Sequence, residues 1–477
     1  MAAPAAGPRG DSAGRRRAVA AHGTLGRTVF LLAVPVLCEQ FLSYLVTMTD
    51  TWLSGRISRE ATMAIGLASY VSWLASMLFA LVGTGTTALV SRYWGAGEFD
   101  EANRVANRSA TLAAAMGIAF YGIIYSAAPF LVNLLDLHGE TAAIGVRYLR
   151  LDGIGHIFYA VTLVLAAALR GSGNMRTPMI VLGVVNVLNM AVSAGLVFGF
   201  EAKLGEAAPL VLLPAIGVDG IVIGTVVARV AGCLLMVGLY ARGVTGLRLI
   251  RRELVVRGPI VRRILAIGMP AALDGALMWG AQFLFLMIVA HLGEGAQRDS
   301  IFAAHIVGIR VEAITYLPAV AWGAAAATLV GQSLGAGKPQ RAIYSGHTAA
   351  RQCGMLGGVM TLVFLFGAGP IYRFMHHDPT VAAEGIGALR LLALAQIPLT
   401  LEIVYVASLR GAGDTRTPMF INVLGMTAVR LPLAWLFGIH LEGGLIGAWI
   451  GMVADLIFRA ALVVWRYARG RWIHTVV

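Results

Sequence analysis

The feature that most constrains this chain is a segment that occurs twice between long apolar runs. Residues 169–179 read LRGSGNMRTPM, and residues 409–419 read LRGAGDTRTPM, a spacing of 409 − 169 = 240 in a chain of 477. Each copy closes one apolar run and opens the next. Gly171 and Gly173, with Gly411 and Gly413, can take positive φ and stop a helix. Thr177 and Thr417 suit an N-cap, and Pro178 and Pro418 the first helical position. Arg170, Arg176, Arg410 and Arg416 supply positive charge suited to a membrane surface. The segment reads as a helix–turn–helix corner, and its recurrence reveals a duplicated chain. The same offset relates LVSRYWGAG at 89–97 to LVGQSLGAG at 329–337. Pro35 pairs with Pro270 at 270 − 35 = 235, and Gly217, Gly220 and Gly224 pair with Gly444, Gly447 and Gly451 at 444 − 217 = 227. The offset drifts only between apolar runs, as changes in loop length require.

Those runs are about 20 residues or longer, enough to cross a hydrocarbon core of about 30 Å. The chain is 58% hydrophobic and 13% charged, against roughly 25% charged in soluble domains. The period-2 alternation of a membrane β-barrel is absent. An all-α polytopic membrane protein follows, with twelve spans near 28–53, 62–91, 109–135, 142–169, 177–199, 213–241, 263–291, 301–331, 348–374, 381–409, 417–438 and 443–467. The net charge of +13 would suggest nucleic acid in a soluble protein. Here it reflects arginine in short loops, which meets anionic lipid headgroups instead. Most of the 37 Lys and Arg residues fall on one set of loops and in the tails. The other loops carry acids such as Asp136, Glu140, Glu294 and Asp378. By the positive-inside rule both termini are cytoplasmic.

The division that follows is an N-terminal tail (1–27, basic, uncleaved and unstructured), a six-helix bundle (28–241), a basic connector (242–262), a second six-helix bundle (263–467) and a C-terminal tail (468–477). Six is even, so the bundles sit the same way up, related by a pseudo-twofold axis along the membrane normal. A cavity between them is the natural place for a substrate. Cys38, Cys233 and Cys353 are too few and scattered for a disulfide framework or a metal cluster.

No GxxxxGK[ST] loop for nucleotide binding and no HExxH occur, and no nucleophile–base arrangement emerges, so neither an enzyme nor a cofactor is expected. The candidates are polar residues inside spans, which are costly there. In span 1, Glu39 and Asp50 are 11 residues apart, within about 20° of one helix face and about 16 Å apart along the axis. Asp274 in span 7 follows Pro270 by four residues, as Glu39 follows Pro35. Span 8 puts His305, Glu312 and Tyr316 on one face. Glu39, Asp274 and Glu312 are expected near the substrate. Tyr44, Trp279 and Tyr316 are the aromatics expected to meet a flat organic cation. Glu402 either attracts a cationic substrate or pairs with Arg310, Arg390 or Arg430. Asp455 and Arg459 are four apart and expected to neutralise each other. Asp152 and His156 share that spacing.

Two six-span halves, the LVSRYWGAG and LVGQSLGAG pair, the LRGSGNMRTP and LRGAGDTRTP pair, and GVDGIVIGT at 217–225 together resemble the multidrug and toxic compound extrusion (MATE) transporters. The resemblance covers nearly the whole chain and leans toward their prokaryotic DinF-like branch. It implies a secondary active antiporter of the inner membrane, acting as a monomer, that exports organic and often cationic compounds in exchange for inward H+ or Na+. Residue by residue, it implies a cation site at Asp50, Asn189, Ser193 and Thr225, with Ser at 193 where that branch usually has Asp. A flippase for a lipid-linked saccharide, from the wider superfamily, is the runner-up. A channel or a membrane-embedded enzyme is the reading from a different class.

Overall fold

The computed structural model describes residues 25–134, 138–202, 210–213, 215–256 and 258–475. The tail before residue 25 and the acid at 136 lie outside the described residues. The first half comprises α1 (Leu25–Ile57), α2 (Arg59–Ala96), α3 (Phe99–Leu134), α4 (Gly139–Gly171), α5 (Arg176–Phe198) and α6 (Val218–Arg242). An antiparallel ribbon of β1 (Phe200–Ala202) and β2 (Leu210–Leu213) lies between α5 and α6. The second half comprises α7 (Pro259–Ala290), α8 (Gly295–Gly335), α9 (Pro339–Met375), α10 (Pro379–Ala393), α11 (Gln396–Gly411), α12 (Arg416–His440) and α13 (Gly444–Ala468). Among the described residues, eleven helices are long and apolar enough to cross a membrane, and the bent pair α10–α11 supplies a twelfth span.

That bend departs from the continuous span expected at 381–409. α10 and α11 meet at 55° across Leu394 and Ala395. Pro398 has no N–H to give the carbonyl four residues back, which is that of Leu394. The equivalent position in the first half is Phe158, and α4 runs unbroken. A second departure lies in α12, where Gly425–Arg430 and Leu436–His440 widen into π-helical turns.

The halves form two lobes that exchange their first turns. Ile260, Val261, Ile264 and Ile267 at the start of α7 belong to the core of the first lobe. Val29, Ala33 and Val36 at the start of α1 belong to a core shared with α8, α9 and α11. Each lobe's first helix is therefore rooted in the other lobe, with Pro35 inside the root of α1 and Pro270 just beyond that of α7. The connector is held by the N-terminal part of α3. Asn107 donates to the Arg248 carbonyl (2.8 Å) and accepts from the Ile250 amide (2.9 Å), and Glu253 bridges Arg104 and Arg108.

The corners come together at one side of the molecule. Gly173 and Gly413 adopt φ of 89° and 95°, the left-handed region that only glycine enters freely. Gly171 and Gly411 have a different task from the one expected, since they allow close approach. A β-carbon on Gly411 would overlap the backbone of Ala327, and one on Gly171 would press on Val90. The capping residue also differs. Asn174 and Asp414, not the threonines, accept from the amides of Thr177 and Thr417. Thr328 and Gln332 of α8 reach back to the carbonyls of Arg170 and Gly171. At the same side the glycines of the other repeat let α2 and α8 cross. A β-carbon on Gly95 would overlap the backbone of Gln332, and one on Gly335 that of Arg92. Backbone on backbone closes this side of the molecule.

Candidate functional site: a polar pocket and a central cavity

Two cavities lie side by side. The first, of about 590 Å³, is inside the first lobe and lined by α1, α2, α4, α5 and α6. The second, of about 560 Å³, lies between the lobes and is lined by α2, α4, α7, α8, α11, α12 and α13. Only Leu163 and Arg170 line both.

The lobe pocket gathers Glu39, Asp50, Asn189 and Thr225. The helical spacing brings the two acids of α1 to one cavity, as their common face required. Asn189 donates Nδ2 to Thr225 Oγ1 at 2.9 Å, tying α5 to α6. Asp50 Oδ1 and Asn189 Oδ1 are both buried without a hydrogen-bond partner. Ser193 stands apart, one turn beyond Asn189. It is fully buried, with its hydroxyl against the Ile221 carbonyl at 3.3 Å and its backbone against Gly224, and it does not line the pocket.

A charged cluster that the spacing of Asp152 and His156 only half revealed shares the pocket. Asp152 takes Arg229 Nη1 at 2.7 Å and the Ser72 hydroxyl at 3.1 Å, and His156 Nδ1 lies 3.4 Å from it. Arg229 comes from α6, and no pattern in the sequence joins it to α4. Asp50 forms no such bridge among the described residues.

The duplicated acids have matching partners. Arg170 Nη2 bonds Glu39 Oε1 at 2.5 Å, and Arg410 Nη2 bonds Asp274 Oδ2 at 2.5 Å. Acids related by 235 residues thus pair with arginines related by 240. The two arginines point into the protein, not to the membrane surface where the sequence alone put them. Asn422 of α12 donates to both oxygens of Asp274. Behind Asp274, Arg459 holds Glu402 at 3.0 Å and Asp455 at 2.9 Å, and Asp455 also takes Arg430 at 2.8 Å. Glu402 therefore pairs with Arg459 and not with the three arginines considered for it.

The remaining candidates scatter. Asp274 and Tyr316 line the central cavity; Glu39 lines the lobe pocket instead; Glu312 is buried one turn from Tyr316 and lines neither. Trp279 packs on Trp73 with centroids 4.0 Å apart, at the rim of the lobe pocket. Tyr44 is exposed and lines neither cavity.

The lobes have diverged at equivalent positions. Glu402 stands where the first half has Thr162 (402 − 162 = 240), and Arg459 where it has Gly232 (459 − 232 = 227). Thr162 and Gly232 border open space in the lobe pocket. In the second lobe the larger charged pair occupies the corresponding place.

Two helical lobes rooted in each other, closed on one side and enclosing polar cavities among apolar helices, define a multi-pass membrane transporter. The chain belongs to the MatE family, whose model matches residues 35–194 and 270–436. It is 29% identical over 461 residues to a probable multidrug resistance protein NorM of Thermotoga maritima, covering 92% of each chain. It is 26% identical to the multidrug resistance protein MdtK of Edwardsiella ictaluri, covering 94% of this chain and 95% of that one. Its fold matches a structure described as the outward-facing conformation of a multidrug resistance MATE family transporter of the MOP superfamily, with TM-score 0.85 at 19% identity over 98% of this chain and 99% of that one. A MOP superfamily transporter from Pyrococcus furiosus, described as having a binding pocket of reversed polarity, matches with TM-score 0.84 at 19% identity over the same shares.

Proposed function

We propose that this transporter is a monomeric secondary antiporter of the inner membrane, with both termini cytoplasmic, that exports small organic compounds in exchange for inward H+ or Na+. The names of its NorM and MdtK relatives support drug-like organic substrates. The observation that carries the exchange reading is Asp50. It is a carboxylate inside a membrane helix, with one oxygen buried and unpartnered, in the same pocket as an equally unpartnered Asn189 oxygen. A proton or a sodium ion bound between such acceptors would satisfy both. Arg170 borders this pocket and the central cavity alike, which gives occupancy of one a physical route to the other. Exchange requires that cation and substrate favour opposite conformations.

Purified protein in liposomes, given separate pH and Na+ gradients and a panel of fluorescent organic cations, tests the reading. Movement of dye against its gradient, driven by one of the two ion gradients, is the expected result. Dye flux that ignores both gradients, or steady single-channel currents, would overturn it.

A further inference from the structure

Away from both cavities, a groove of about 530 Å³ runs between the last turns of α3 and the first turns of α4, at the end of α4 opposite its corner. Pro129, Val132 and Val146 make its floor apolar, and Arg147 and Arg150 stand in its wall. Phe130 and Tyr125 are exposed beside it. α4 has 33 residues, about 50 Å of helix against a hydrocarbon core of about 30 Å, so it overhangs each face by about 10 Å. Arg147 and Arg150 are 147 − 139 = 8 and 150 − 139 = 11 residues in from Gly139, about 12 and 16 Å along the axis. Both therefore lie just inside the edge of the hydrocarbon, and Arg147 is 56% exposed there. A charge on the outer face of a span is costly unless it meets an opposite one.

Both guanidiniums are anchored through Nε alone. Arg147 donates Nε to Asp219 of α6 at 2.9 Å. Arg150 donates Nε to the Tyr125 carbonyl at 3.3 Å, and its Cζ lies 4.4 Å from the centroid of the Tyr125 ring. Each keeps both Nη groups unbonded among the described residues, which is the edge that takes phosphate oxygens in pairs. The two arginines and Asp219 sum to a formal 2 − 1 = +1, and no acid lines the groove; Glu140 lies two turns nearer the end of α4 and stands outside it. The second half has not kept the arrangement. Gly387 stands at the position of Arg147 (387 − 147 = 240) and Ile446 at that of Asp219 (446 − 219 = 227), and a β-carbon on Gly387 would press on Ile446. Arg390 alone remains, at the position of Arg150 (390 − 150 = 240).

We propose that this groove binds a membrane phospholipid with an anionic headgroup, its phosphate held between Arg147 and Arg150 and one acyl chain lying along the apolar floor. The phosphate oxygens take the free Nη donors. A lipid of net negative charge neutralises the remaining +1, which a zwitterionic lipid does not. Through Arg147 and Asp219 the bound lipid ties α3 and α4 to α6 at this end of the lobe. The leaflet it comes from follows from the orientation proposed above; its binding does not depend on that orientation or on the antiport reading.

Two photoactivatable lipids with the same diazirine-bearing acyl chains, one a phosphatidylglycerol and one a phosphatidylcholine, test this in mixed micelles with the purified full-length protein. Phosphatidylglycerol should label residues 129–151 at least about tenfold more than phosphatidylcholine, the scale of one charge-assisted hydrogen bond. Arg147→Gln combined with Arg150→Gln should bring the two lipids within about twofold of each other. Arg147→Lys combined with Arg150→Lys, which keeps both charges and loses the fork, should retain only part of the preference, and it decides the matter if the glutamine pair does not fold. Arg390→Gln, at the equivalent place in the other half, should leave labelling of this segment unchanged. Millimolar glycerol 3-phosphate should not compete. Equal labelling of wild type by the two lipids, labelling by neither, a full preference surviving in either double variant, or the same loss in Arg390→Gln would each overturn the proposal. Competition by glycerol 3-phosphate would also overturn it, making the groove a site for a free phosphate.

Discussion

Asp50→Asn and Asp274→Asn make the same chemical change and should have opposite effects on stability. Asp50 has a buried, unpartnered oxygen, and the nearby Arg229 is already held by Asp152 at 2.7 Å. An ionised Asp costs about 2.5–3.5 kcal/mol at the centre of a membrane helix on insertion scales and less toward its end, and Asp50 lies in the last third of α1 (Leu25–Ile57). Because the pocket admits water, Asn should recover only a part of this, so the variant should be as stable as wild type or about 1 kcal/mol more stable. Asp274 is 2% exposed and bonded to Arg410 and Asn422. Breaking a buried pair costs about 3–5 kcal/mol; the partial exposure of Arg410 lowers this to about 1–3 kcal/mol. Thermal melts of detergent-solubilised protein should show Asp50→Asn at or slightly above the wild-type midpoint and Asp274→Asn several degrees below it. In proteoliposomes Asp50→Asn should lose gradient-driven export while still binding substrate, since Asn keeps the size and cannot titrate. An Asp50→Asn protein that melts well below wild type, or that exports at the wild-type rate, would show that Asp50 is a structural acid and refute the reasoning.

Gly335→Val should abolish transport and lower stability by at least about 1–3 kcal/mol, the usual cost of overpacking, because the new side chain would meet the backbone at Arg92; the melting midpoint and export rate of the purified variant check this. Arg459→Met should cost about 3–5 kcal/mol by stranding Glu402 and leaving Asp455 with Arg430 alone. Adding Glu402→Gln should recover much of that loss, which a double-mutant cycle on melting midpoints will measure.

The duplication, the span count and the direction in which each acid could face were legible in the chain, because a bilayer leaves few ways to bury backbone polar groups and the helical period then orders the side chains. Glu39 and Asp50 do reach one pocket, and the matching of Glu39 with Asp274 is real. The drift in offset between the repeats also told correctly where the loops differ.

Apart from the Asp455–Arg459 pair that its spacing predicted, what each charge bonds was decided only in three dimensions. Arg170 and Arg410 look like loop charges in the sequence, since they sit beside a turn. In the fold their long side chains turn inward to the acids of α1 and α7, 131 and 136 residues away. Arg229 bonds Asp152 on another helix, and Arg459 adds Glu402 of α11 to the Asp455 that its spacing predicted, so local spacing could not supply these cross-helix partners. The packing of Ser193 against Gly224 depends likewise on a neighbour distant in the chain, whereas the break before Pro398 has its cause in the proline itself. Periodicity fixes which side of a helix a residue occupies; the identity of its partner depends on how the helices are set against one another, and that is a property of the packed lobes alone.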